Sequence, residues 1–166
     1  GQIVASAETT GPTKNKILAK FSDSSKGVYY VYIIMTGAET LLLMLGGLPI
    51  YDALIHTFGT VGTGGLSIYN ASIGHYNNVY VEIVVAVFMF LAAINFNLFY
   101  MVKKRGVLQI FKDEETKFYT TVTISAGLLI AVYNFISDSF SQFGEKLLNS
   151  FFQVISILTT TGYATD

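Results

Sequence analysis

Three long runs almost free of charge constrain this chain more than anything else in it. Residues 28–48 read "VYYVYIIMTGAETLLLMLGGL" and hold a single charge, Glu39. Residues 80–102 read "YVEIVVAVFMFLAAINFNLFYMV", with Glu82 as the lone charge, and residues 118–136, "FYTTVTISAGLLIAVYNFI", hold none. About 20 helical residues rise roughly 30 Å, the thickness of a bilayer core. The competing reading is the helical core of a soluble domain. Soluble domains average about 25% charged residues, whereas this chain has 13%. The runs therefore predict an all-α integral membrane protein.

Charge placement predicts the orientation. Lys14, Lys16, Lys20 and Lys26 precede the first run. Lys103, Lys104, Arg105, Lys112 and Lys117 lie between the second and third, and Lys146 is the tenth positive charge. The positive-inside rule makes residues 1–27 a cytoplasmic lead-in and 103–117 a cytoplasmic loop. Residues 49–78 are then external. A net charge of −1 gives no basic field for nucleic acid. With no cysteine there are no disulfides, thiolate metal sites or thiol nucleophiles.

The external segment opens with "PIYDALIHTF", too short to cross a bilayer but suited to a re-entrant helix, with Pro49 in its first turn. "TVGTGGLS" follows. The layout recurs as "EKLLNSFFQVISIL" followed by "TTTGY". A shift of 97 residues carries Asp52 onto Asn149, Leu54 onto Phe151, Phe58 onto Ile155, Thr63 onto Thr160, Gly65 onto Gly162 and Leu66 onto Tyr163 without a gap. The predicted unit is span, short helix, Thr/Gly strand, span. Residues 28–102 form one unit and 118–166 the first half of the next, whose closing span is expected beyond Asp166.

Non-helical backbone at membrane depth is tolerated where it lines an aqueous path or is buried in protein. A short helix followed by threonine and glycine sets successive carbonyls along a narrow path, where they can replace the hydration shell of a monovalent cation. Glycine permits the backbone angles this needs, and the negative helix C-terminus faces the ion. The expected ligands are the carbonyls of Gly62, Thr63, Gly64 and Gly65 in one loop and of Thr159, Thr160, Thr161 and Gly162 in the other, with threonine hydroxyls adding oxygens. A phosphate-binding reading of "GTVGTG" fails for want of the lysine and hydroxyl that should follow. Helix packing accounts for Gly46 and Gly47, but not for a repeated Thr/Gly cluster.

The stretches "AETTGPTKNKI", "YDALIHTFGTVGTGGLSIYNASIGHY", "FMFLAAINFNLFY" and "SILTTTGYATD" resemble the Trk/Ktr superfamily of potassium transporters, in its TrkH-type membrane subunits. The resemblance covers nearly the whole chain. It implies four span–pore-loop–span units around one pore, of which this chain holds the second and half of the third. It implies one characteristic filter glycine per loop, here Gly65 and Gly162. It further implies potassium as the transported ion, no organic cofactor, a homodimer, a cytoplasmic nucleotide-binding subunit of the TrkA type, and a multi-pass protein of the inner (plasma) membrane. The family's gating loop, in the second span of the third unit, falls outside this sequence.

Other residues carry weaker expectations. Glu39, in mid-span, reads as a structural acid before a functional one. Asn95 and Asn97 read as bonds to neighbouring helices. His56 reads as a local brace for the loop after it. Asp52 and Asp138 read as cation-concentrating acids at an outer mouth. Tyr29, Tyr30, Tyr76, Tyr80 and Tyr100 read as interface anchors. The functional expectation is potassium uptake without covalent chemistry. Within transport, a sodium-coupled Ktr-type carrier is the alternative, separated by sodium dependence. An intramembrane hydrolase has only Ser67 with His56 or His75 to draw on. A non-conducting scaffold is separated by the absence of flux.

Overall fold

The computed structural model describes residues 14–96, 98–99, 106, 110, 112–137 and 143–165. The described residues hold the helices α1 (Lys14–Leu45), α2 (Ile50–Val61), the 3-10 helix Ser72–Tyr76, α3 (Val79–Ala92), α4 (Glu114–Ser137) and α5 (Phe143–Leu158), further helical residues at 96, 98–99, 110 and 112, and no strand. Within α1 and α4, Lys26–Leu45 and Glu114–Ile136 are long and apolar enough to cross a bilayer. Helix α1 starts well inside the expected lead-in.

Both long helices carry threonines without exposing unmet donors. Thr36 and Thr40 in α1, and Thr120, Thr121 and Thr123 in α4, return their hydroxyl hydrogens to the carbonyl four residues back, at 2.7–2.9 Å. Asp113 caps α4, its carboxylate accepting from the Thr116 N–H at 2.9 Å and the Thr116 hydroxyl at 3.0 Å.

Helix α1 ends in a Schellman motif. The Leu48 N–H reaches the Leu43 carbonyl at 3.2 Å, the Gly47 N–H reaches Met44 at 3.0 Å, and Gly47 takes φ +92°. Gly47 is thus a helix terminator rather than a packing residue. Gly46 does pack: a Cβ there would meet the Tyr80 ring of α3 at 2.8 Å. Pro49 then caps α2 from outside at ψ 149°, so the first helical residue is Ile50.

The second apolar run departs from expectation. It is not one helix over 80–102. Helix α3 stops at Ala92: the Ala93 N–H still reaches the Met89 carbonyl at 3.3 Å, the Ile94 N–H turns back to the Leu91 carbonyl at 3.2 Å, and helical bonding restarts from the Asn95 carbonyl to the Leu98 N–H at 2.9 Å. The break falls in "AAINFN", where asparagine competes for backbone bonds and favours turns. Asn78 fixes the other end of α3: its side chain accepts from Tyr80 N–H at 3.0 Å and donates to the Gly46 carbonyl at 3.1 Å.

Helices α1, α2 and α3 pack together, and α5 lies against both α4 and α3, joining the two halves. The core there includes Leu43, Ala53, Ile73, Val81, Val85, Met89, Phe152 and Tyr163. Gly127 of α4 lets the Phe151 ring of α5 close in; a Cβ would meet it at 2.6 Å. Leu128, Leu129, Val132, Tyr133 and Ile136 of α4 remain exposed, an apolar outer face.

Candidate functional site

The two Thr/Gly loops leave the ends of α2 and α5 with the same backbone bonds. In the first, Gly62, Thr63, Gly64 and Gly65 donate their N–H groups to Phe58, Thr60, Gly59 and Gly59. In the second, Thr159, Thr160, Thr161 and Gly162 donate to Ile155, Ile157, Ser156 and Ser156. Every donor and acceptor moves by the same offset as the sequence repeat. These are again Schellman turns, but the left-handed position holds threonine: Thr63 at φ +49° and Thr160 at φ +58°. A β-branched residue there is costly, of order 1–3 kcal/mol. The next left-handed residue in each loop is glycine, Gly65 at φ +59° and Gly162 at φ +88°.

The turns consume N–H groups and leave carbonyls over. Among the described residues, no hydrogen bond reaches the carbonyl oxygens of Gly62, Thr63, Gly64, Gly65, Thr159, Thr160, Thr161 or Gly162. Threonine hydroxyls behave differently from expectation. Those of Thr159 and Thr161 are buried and bonded to each other at 2.7 Å, so this pair is already engaged.

The loops also touch. A Cβ on Gly65 would fall on the Thr161 carbonyl oxygen, and one on Gly74 on that of Thr165. The Ile73 and Gly74 N–H groups donate to the Ala164 carbonyl at 3.1 and 3.2 Å, and the Ala164 N–H returns to Ser72 Oγ at 3.2 Å. Tyr163, 1% exposed, reaches back to the first loop, its hydroxyl 3.0 Å from the His56 carbonyl and 3.1 Å from that of Leu66.

A profile described as "TrkH: Cation transport protein" matches residues 25–166. The chain belongs to the TrkH family. It is 28% identical over 162 residues to the Trk system potassium uptake protein TrkH of Salmonella typhimurium strain LT2, covering 96% of this chain and 34% of that protein. It is 31% identical over 162 residues to TrkG of Escherichia coli K12, covering 96% and 33% respectively. The crystal structure of the potassium transporter TrkH from Vibrio parahaemolyticus superposes with a TM-score of 0.83 at 24% identity, over 95% of this chain and 33% of that one. The described segment thus has the TrkH fold and spans about a third of the length of these relatives.

Around its first Thr/Gly loop, this TrkH-family chain builds a polar brace. His56 Nδ1 lies 2.8 Å from the Asp52 carbonyl and so carries the proton, leaving Nε2 to accept from Ser67 Oγ at 3.2 Å. Ser67 Oγ in turn accepts from the Tyr69 N–H at 3.1 Å. His56 ties the helix to the chain beyond the loop, the brace its sequence position suggests.

Asp52 departs from expectation. It is buried, not displayed at a mouth, and its Oδ2 accepts from the Tyr69 hydroxyl at 3.1 Å and the Tyr76 hydroxyl at 3.0 Å. The hydrogen bond to Asp52 raises the Tyr69 pKa. Burial, then that same kind of bond, raises Tyr76. Both phenols stay donors. Tyr76 therefore belongs to this cluster rather than to an interface belt, while Tyr29, Tyr30 and Tyr80 are exposed as anchors would be. His75 stacks on Tyr69 at 3.7 Å between centroids. Glu39 is fully buried, and neither carboxyl oxygen has a hydrogen-bond partner among the described residues. Asn97, Tyr100, Lys103, Lys104, Arg105 and Asp138 lie outside the described residues.

Sequence reasoning missed the Asp52–Tyr69–Tyr76 cluster and the reach of Tyr163. The alignment of the repeat carried the second signal: Leu66 and Tyr163 are equivalent positions of very different size and polarity.

Proposed function

We propose that this chain supplies one and a half span–pore-loop–span units of a potassium uptake pathway, with the carbonyls of Gly62, Thr63, Gly64, Gly65, Thr159, Thr160, Thr161 and Gly162 facing the ion. One observation carries the reading. A strained turn recurs bond for bond at the ends of two short helices, and it leaves a run of carbonyls without donors. Carbonyls in this state suit a cation that has shed its water. The relatives, which are potassium uptake proteins, supply the ion. No covalent step is required. Ser67 and His56 serve as the brace described above, so the chain is read as a transporter and not an enzyme.

By likeness to the family, the reading extends to residues 28–102 and 118–166 as successive units, and to 1–27 and 103–117 on the cytoplasmic side. It also extends to a multi-pass protein of the inner membrane, a homodimer, and a TrkA-type regulatory partner.

The test is potassium and sodium uptake by the full-length protein in liposomes. Gly162→Ser should lower apparent potassium affinity by about tenfold, the weight of roughly 1.4 kcal/mol of backbone strain, and raise relative sodium entry at near-normal expression. Gly46→Ser, which collides with Tyr80 between α1 and α3, should lower expression with selectivity kept. Unchanged selectivity in Gly162→Ser would sink the reading. Potassium flux that vanishes without sodium would favour the coupled carrier; no flux at all, the scaffold.

A further inference from the structure

The loops differ in how one carbonyl is held. In the second, Ser156 Oγ donates to the Tyr163 carbonyl at 2.6 Å. That carbonyl lies directly after Gly162, the left-handed glycine. In the first loop the equivalent carbonyl is that of Leu66, directly after Gly65. The residue equivalent to Ser156 there is Gly59, which has no hydroxyl to give.

The missing hydroxyl comes from elsewhere. A Cβ built on Gly59 would fall on the Tyr163 hydroxyl oxygen and lie 3.1 Å from the Leu66 carbonyl oxygen. The Tyr163 phenol thus fills the space a residue-59 side chain would take, and its hydroxyl meets the Leu66 carbonyl at 3.1 Å. We propose that Tyr163 is a positioning residue for the first loop, holding the Leu66 carbonyl from across the loop contact as Ser156 holds the equivalent carbonyl within its own loop. The proposal rests on the reading of these loops as the ion path.

The arrangement makes the loops unequal partners. Ser156 fixes the backbone of Tyr163, and Tyr163 fixes the backbone of Leu66. Order passes from α5 through one side chain into the first loop. The phenol hydrogen is shared with the His56 carbonyl at 3.0 Å, so the same group also grips the helix leading into that loop.

The geometry defines a swap. Tyr163→Phe removes the hydroxyl and leaves the ring. Gly59→Ser inserts a side chain where the phenol oxygen sits. Together they move the hydroxyl from residue 163 to residue 59, the arrangement the second loop already uses. The phenyl ring edge and the Leu66 carbonyl oxygen, each 3.1 Å from the new Cβ, both have to yield by a few tenths of an ångström.

The experiment measures the potassium-to-sodium uptake ratio and the thermal unfolding midpoint of the full-length protein for both single variants and the double. Tyr163→Phe should fold normally and lose about five- to tenfold in the ratio, the weight of one hydrogen bond. Gly59→Ser should lose more and unfold at lower temperature. The double variant should return to within about twofold of the parent ratio and recover most of the midpoint, since one hydrogen bond is exchanged for an equivalent one. An unchanged ratio in Tyr163→Phe, or a double variant no better than Gly59→Ser, would overturn the proposal. The two readings fail separately. If Gly162→Ser alters selectivity and Tyr163→Phe does not, only the positioning role falls. If Gly162→Ser leaves selectivity intact, the ion-path reading falls, and recovery of the midpoint still decides whether the hydroxyl is exchangeable.

Discussion

The two Thr/Gly loops share a backbone and differ in surroundings. The first is crowded at its glycines: Gly65 lies against the Thr161 carbonyl and Gly59, in the helix before it, against Tyr163. The second buries Thr159, Thr161 and Tyr163 but leaves its glycine open, with nothing within 4 Å of a Cβ at Gly162. A turn that keeps its bonds in both settings is set by local chemistry, not by its neighbours. What the setting decides is how much a side chain at the glycine would cost.

That contrast orders the expected effects. Gly65→Ala should be the most damaging change in either loop, because it adds backbone collision to left-handed strain. The expectation is a large loss of folded protein, measured as yield of monodisperse transporter, together with loss of uptake. Gly162→Ser adds strain alone and should fold; equal yields for the two would erase the distinction between the crowded and the open glycine.

Asp52→Ala comes next. It strands two phenol donors that now share one carboxylate oxygen, and should lower stability by about 1.5–3 kcal/mol, read from the unfolding midpoint. Asp52→Asn keeps an acceptor oxygen at the same place and should cost less. Equal losses for the two variants would mean that the charge, and not the hydroxyl network, holds the first loop.

The smallest effect tests the likeness itself. Thr63→Gly and Thr160→Gly each relieve a left-handed β-branched residue and should each stabilise by about 0.5–1 kcal/mol. Matching gains would mark the turn as locally determined. A gain at one position only would mean that the loops are less alike than their hydrogen bonds.

Much of this was legible in the sequence, because the signals were periodic or repeated. The long helices follow from runs without charge, and the matched turns from a gapless repeat whose Thr63/Thr160 and Gly65/Gly162 pairs are the left-handed residues. Three features were not legible. The stop at Ala92 depends on a contest between apolar burial and asparagine, and composition favoured one span. Gly47 looked like a packing glycine because spacing does not reveal the sign of φ. Asp52 looked solvated because the tyrosines that bury it come from residues 69 and 76, brought back by a 3-10 helix no pattern announces.

The stop at Ala92 bears on electricity as well as shape. A 14-residue helix is about 21 Å long, some 9 Å short of a hydrocarbon core of about 30 Å. The peptide groups of residues 93–95, where the helical bonding lapses, cannot face acyl chains; they face protein or water. Water reaching that depth would carry the potential of the adjoining solution inward with it. The membrane voltage would then fall over a thinner layer, and more of its roughly 2.3 kcal/mol per charge per 100 mV would act across the Thr/Gly loops.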